Sequence, residues 1–221
     1  MIWPESCRRW AANTGSAMGN RRALALSGYS MWFFLFTLLA ICSPAETADT
    51  EGRERIAAAS IAAGVGWPMP SPWVHIDKSE RRLILYSGEH EVRRWVVALG
   101  GAPAGDKTRQ GDQRTPTGHF RVVTRNPTSN YTLFLGLSYP DADDADRGLR
   151  DGLISDAQAR SIRERDARDQ PAWDTALGGA IGLHGGGAGG DWTLGCIALE
   201  DEAIEELWVV LRHGSRVVIE E

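Results

Sequence analysis

Residues 181–199 read IGLHGGGAGGDWTLGCIAL and set a histidine and a cysteine on either side of a glycine-rich bend. His184 closes a short apolar run, Ile181-Gly182-Leu183, with the character of a strand. Cys196 follows Gly195 and leads into a second such run, Ile197-Ala198-Leu199. Backbone without a Cβ at position 195 can approach a ligand closely and aim amide N–H groups at a developing oxyanion. A free thiol titrates near pH ~8.5, so at neutrality it is mostly protonated and needs a base beside it. The imidazole of His184 can accept that proton and return it to a leaving amine. The pair therefore reads as cysteine acyl-transfer chemistry.

Cysteine usage points the same way. Of the three cysteines, Cys7 and Cys42 fall in an N-terminal segment laid out like a secretory signal: Arg8, Arg9, Arg21 and Arg22, the apolar run MWFFLFTLLAIC at 31–42, then Ser43, Pro44 and Ala45. Residues 1–48 are accordingly expected to be a signal peptide or an uncleaved signal anchor. The protein would then be exported to the periplasm or cell envelope, either free or anchored in the membrane by that apolar segment. Cleavage would leave Cys196 as the sole thiol, unable to form an internal disulfide. A lone thiol in an oxidising compartment wants a chemical reason, the alternative being a buried, inert cysteine. A net charge of −5 argues against nucleic acid as a partner. His75, His90, His119, His184 and His213 have no paired spacing, so neither a metal nor another cofactor is expected.

Around this centre the chain reads as one domain. Residues 49–72 are read as a linker, with an Ala-rich stretch at 51–66 that could be a short helix or a tether and an end in WPMPSP, and 73–221 as the catalytic domain. Extended runs are expected at 73–77, 82–86 and 94–99, with a turn over 87–90, then at 119–124, 131–139 and 216–219, giving a mostly antiparallel β domain. Residues 141–171 are strongly charged and predict a helical insertion, with Ser155 and Gln158 forming a capping box that opens a helix to about residue 168. Ile204, Leu207, Trp208 and Leu211 recur at helical spacing and place a helix from about Asp201. The fold class is mainly β with added helices, α+β.

The His-Gly element at 184–185, the Thr-x-Gly-Cys-Ile element at 193–197 and the Thr-Pro-x-Gly-x-Phe element at 115–120 together resemble the L,D-transpeptidase (YkuD-like) catalytic domain. The likeness runs over about 73–219 and is closest to the murein L,D-transpeptidase branch, which shares Asp-Trp-Thr-x-Gly-Cys-Ile-Ala. It implies a mixed-sheet, sandwich-like catalytic domain with a C-terminal helix and strand. It also implies that peptidoglycan stem peptides are the substrate, in cell wall organisation and cell shape. By position, Cys196 matches the acylated nucleophile and His184 the base. The amides of Leu194, Gly195 and Cys196 match the oxyanion hole, and Thr193, Gly185, Trp192 and Asp191 match residues near substrate. The residues taken by themselves read Trp192 first as a core side chain and Asp191 first as a loop or turn residue. In the family the histidine is often oriented by a backbone carbonyl. Leu194 stands where many members have a second histidine, and Ala198 where many have Arg or Asn.

Lys107, Arg109 and Arg114 are read either as a solvated loop or as attractors of stem carboxylates. An L,D-carboxypeptidase, a murein amide hydrolase of the same fold and a non-catalytic peptidoglycan-binding module are the competing functions, and a monomer is expected. The lipase-like HGGG tetrad at 184–187 lacks any Gly-x-Ser-x-Gly partner in the chain.

Overall fold

The computed structural model describes residues 44–221, with side chains from Thr50 onward; the expected signal segment lies almost wholly outside the described residues. No described helix is long and apolar enough to cross a membrane.

Helix α1 (Pro44–Ala62) occupies most of the stretch read as a linker. Its alanines favour the helix, and it stops where Gly64 turns left-handed (φ 76°). There Val65 N–H donates to Ser60 O and Gly64 N–H to Ile61 O, the paired bonds of a Schellman end. The stretch is no tether, since Ile56 is fully buried in the main core. A Cβ at Gly52 would lie 3.1 Å from the backbone carbon of Glu205, so glycine lets α1 pack tightly on helix α4 (Asp201–Val210). Arg55 clasps the same helix, with Nη2 2.9 Å from Glu205 and Nε 3.0 Å from Glu206. Ile56→Ala is expected to cost about 2–4 kcal/mol, measured as a lowered denaturation midpoint. A true linker would give no change.

Eight strands form the sheet in the order β3-β2-β1-β8-β4-β5-β6-β7. Strand β1 (Pro72–Asp77) and β2 (Arg82–Ser87) pair antiparallel, and Val74, Ile76, Leu83 and Leu85 alternate into the core. Strand β3 (His90–Val96) starts four residues earlier than expected, because the turn uses only Gly88 and Glu89 and pairing resumes at Ser87↔His90. Residues 97–99 leave β2, and Ala98 bridges Ala198 instead. Strand β4 (Gly118–Ser129) bends: its first part pairs with β8 (Arg216–Glu220), and the rest, after a register shift near Val122, with β5 (Thr132–Leu137). Strands β6 (Gly182–His184) and β7 (Ile197–Ala198) complete the order. The expected antiparallel character holds for five pairings, while β1 with β8 and β6 with β7 run parallel.

The charged region after β5 folds as two helices, α2 (Ala142–Arg150) and α3 (Asp156–Asp166), around a small core of Ala145, Ile154, Ala159, Ile162 and Leu177. Ser155 and Gln158 form the expected capping box. The first helix carries one too, built from Asp141 and Asp144. Arg147 ties α2 to the preceding loop, donating to Asp106 Oδ2 at 2.9 Å and to Lys107 O at 2.8 Å.

Candidate active site

His184 ends β6 and Cys196 stands at the head of β7. These neighbours run parallel with Leu183 opposite Ile197 and His184 opposite Ala198. Cys196 immediately precedes β7, two residues before Ala198, so this pairing brings its backbone close to the end of β6. The thiol is half-buried, and Sγ donates to Ala180 O, on the approach to β6, at 3.4 Å.

The cysteine loop is held from several sides. Ala98 and Ala198 exchange both backbone hydrogen bonds at 2.9 Å, and Leu199 N–H donates to His184 O at 2.9 Å. Thr193 N–H donates to Leu99 O, and Gly101 N–H returns to Thr193 O. Gly195 (φ 134°) passes so close to Arg114 that a Cβ would lie 2.7 Å from the Arg114 carbonyl oxygen. Its lack of a side chain thus lets two loops touch, in addition to permitting a backbone angle unusual for other residues.

His184 is only 3% exposed, and its Nδ1 lies 2.6 Å from the carbonyl oxygen of Gly185. A carbonyl can only accept, so the neutral ring carries its proton on Nδ1 and presents the lone pair of Nε2. Burial pushes the imidazole pKa below its ordinary value, and the Gly185 carbonyl opposes part of that push. Gly185 therefore orients the His184 ring and is itself held: its amide donates to Tyr131 O at 3.0 Å, and a Cβ would fall 2.2 Å from Asp201 Oδ1. Two acids at the start of α4 pin the bend, Asp201 accepting from Gly186 N–H and Glu200 from Ala188 N–H, each at 2.9 Å.

Other expected site residues have structural tasks. Thr193 is buried; its hydroxyl donates to Cys196 O at 2.7 Å and accepts from Gly195 N–H at 3.0 Å. It braces the loop, and it occupies one of the three amides matched to the oxyanion hole. Asp191 pairs with Arg81 at 2.8 Å and accepts from Leu99 N–H at 2.9 Å, so its carboxylate acts as a strut. Lys107 is neither solvated nor free to attract substrate, being buried against Asp112 at 2.7 Å. Burial alone would raise the Asp112 pKa; Lys107 and the amides of Thr108, Arg109 and Arg114 outweigh it and leave that carboxyl below its usual range. Arg114 donates to Asp106 O at 3.3 Å, and Arg109 is exposed.

Trp192 is 41% exposed and lies 5.6 Å, ring to ring, from His184. Sequence reasoning missed Tyr131, whose ring stacks on His184 at 4.7 Å. It sits at the tip of the β4–β5 hairpin, and only the register Phe134↔His184 brings it to the base.

This chain belongs to the L,D-transpeptidase catalytic domain family, YkuD, whose model matches residues 71–219. Among solved structures it is similar to the helical cell shape determining protein Pgp2 from Campylobacter jejuni, at 23% identity over 68% of this chain and 48% of that one, TM-score 0.49. It is also similar to the L,D-transpeptidase (residues 123–326) from Xylanimonas cellulosilytica DSM 15894, at 16% identity over 74% and 68%, TM-score 0.41. An L,D-transpeptidase from Mycobacterium tuberculosis H37Rv is similar at 12% identity over 69% and 58%, TM-score 0.40. The chain spans about half the length of the Campylobacter protein. No curated protein matches it.

Proposed function

We propose that the protein is a peptidoglycan L,D-transpeptidase of the cell envelope, exported by its N-terminal segment, with Cys196 as nucleophile and His184 as base. The observation that supports this reading is the parallel register of β6 and β7, in which His184, its ring oriented by a backbone carbonyl, pairs with Ala198, two residues after the half-buried Cys196. His184 Nε2 takes the thiol proton, and the sulfur attacks the carbonyl of the diamino acid at stem position three. The amides of Leu194 and Cys196 receive the oxyanion, because the Gly195 amide is given to Thr193. Collapse expels the terminal D-alanine with a proton from His184 and leaves a thioester. An amine from a second stem then forms the crosslink and frees the thiol.

Incubating the protein with purified disaccharide-tetrapeptide and weighing the products tests this directly. Loss of D-alanine together with a crosslinked dimer is expected. Tripeptide without dimer would identify an L,D-carboxypeptidase, and an unchanged tetrapeptide would leave only a binding module.

A further inference from the structure

His184 is almost wholly covered, and two of the side chains packed against it are themselves well exposed: Tyr131 at 44% and Trp192 at 41%. Tyr131 lies nearly parallel to the imidazole, at 4.7 Å and 29°, and Trp192 presents at 5.6 Å and 66°. The two rings are also 5.6 Å from each other, so three aromatic rings form one closed cluster. Both covering residues are tied to the bend that follows the base, through Gly185 N–H to Tyr131 O at 3.0 Å and Trp192 Nε1–H to Gly187 O at 3.1 Å. Gly186 (φ 101°) runs beneath them, and a Cβ there would stand 3.3 Å from Tyr131 Cδ1 and 3.6 Å from Trp192 Cη2. Leu194, two residues before the nucleophile, adds a further apolar side chain, 67% exposed.

A water positioned for attack needs two to four polar partners to hold it, and ring faces with a leucine supply few. An amine on an aliphatic chain has the opposite preference: its methylenes gain contact with the rings, and its ammonium is drawn to their faces. Resting on the cysteine acyl transfer proposed above, we infer that the Tyr131–Trp192 roof over His184 decides the acceptor, favouring a primary amine on an aliphatic chain over water. The ammonium gives one proton to bulk solvent, and its nitrogen attacks the thioester carbonyl. The C–N bond forms, the C–S bond breaks, and a second proton passes to His184 Nε2. The third stays on the new amide, and the departing thiolate takes its proton back from His184.

The test compares wild type, Tyr131→Phe, Tyr131→Leu, Trp192→Leu and the double leucine variant, using disaccharide-tetrapeptide as donor and Nα-acetyl-lysine as amine. Mass spectrometry reads the ratio of amine adduct to tripeptide, which is internal to each enzyme and independent of the fraction folded. The ratio is expected to fall about tenfold in the double leucine variant, the scale of lost apolar contacts in a specificity pocket, and to hold in Tyr131→Phe. An unchanged ratio in all variants overturns the roof. So does wild type that yields only tripeptide, and so does equal loss of donor consumption in the Phe and Leu variants, which would place the rings in acylation. Failure of the underlying reading looks different: wild type would then consume no donor and form no carbapenem adduct.

Discussion

Treated with a carbapenem, the wild-type protein is expected to gain one drug mass on Cys196, and Cys196→Ala none. Family members react with this β-lactam class through their cysteine, so the adduct reports the acylation half-reaction without requiring an acceptor. Turnover of tetrapeptide should fall by at least ~10³-fold in the same variant, the loss typical when a nucleophile is removed. The fold should tolerate the change, because the surrounding loop is fixed by main-chain bonds from Ala98, Leu99 and His184, and alanine gives up only side-chain contacts such as that to Ala180 O. Intact-mass spectrometry decides the matter, and an adduct equally abundant on the alanine variant would refute the assignment of Cys196.

The second large effect belongs to the base. His184→Gln should slow acylation about 10²–10⁴-fold, the usual contribution of a positioned proton acceptor. Its pH behaviour has a definite sign. Burial holds the folded-state pKa below the ordinary imidazole value, so the base stays unprotonated into more acid solution and the acid limb of kcat/KM lies below that of free imidazole. In stability the same shift works against the fold. As pH falls through the unfolded-state value near ~6.5, the unfolded chain gains a proton that the folded chain refuses. Stability is lost from there downward and levels off below the folded pKa. Denaturation midpoints across that window should slope in wild type and flatten in His184→Gln; equal slopes would mean the ring is not a buried neutral base.

Much of the site was legible because its signals are local. A histidine at a strand end, a glycine-rich bend and a Gly-Cys pair lie within 181–199, and the Thr-Pro-x-Gly-x-Phe element marks the loop packed against Gly195. Ser155 and Gln158 announced α3, and the apolar stripe at 204–211 announced α4. What escaped depends on contacts distant in sequence. The Tyr131 ring meets His184 through strand pairing, and nothing around residue 131 foretells it. Thr193 and Asp191 carry groups suited to substrate, and only the positions of Gly195, Arg81 and Leu99 reveal that those groups are already used. The stretch of α1 stayed open between a short helix and a tether because its apolar residues do not gather on one face, and α2 was not set apart within the helical insertion because its capping box is made from two aspartates.

Strand β8 pairs with β1 on one side and β4 on the other, joining Val217 to Val74 and to Phe120. It is the seam between a sheet half that supplies Ala98 and another that supplies the residues of 182–198. Such distant pairings cost loop-closure entropy before they give anything back, so neither half should persist alone. The juxtaposition that the proposed reaction needs would thus depend on β8 joining the two halves.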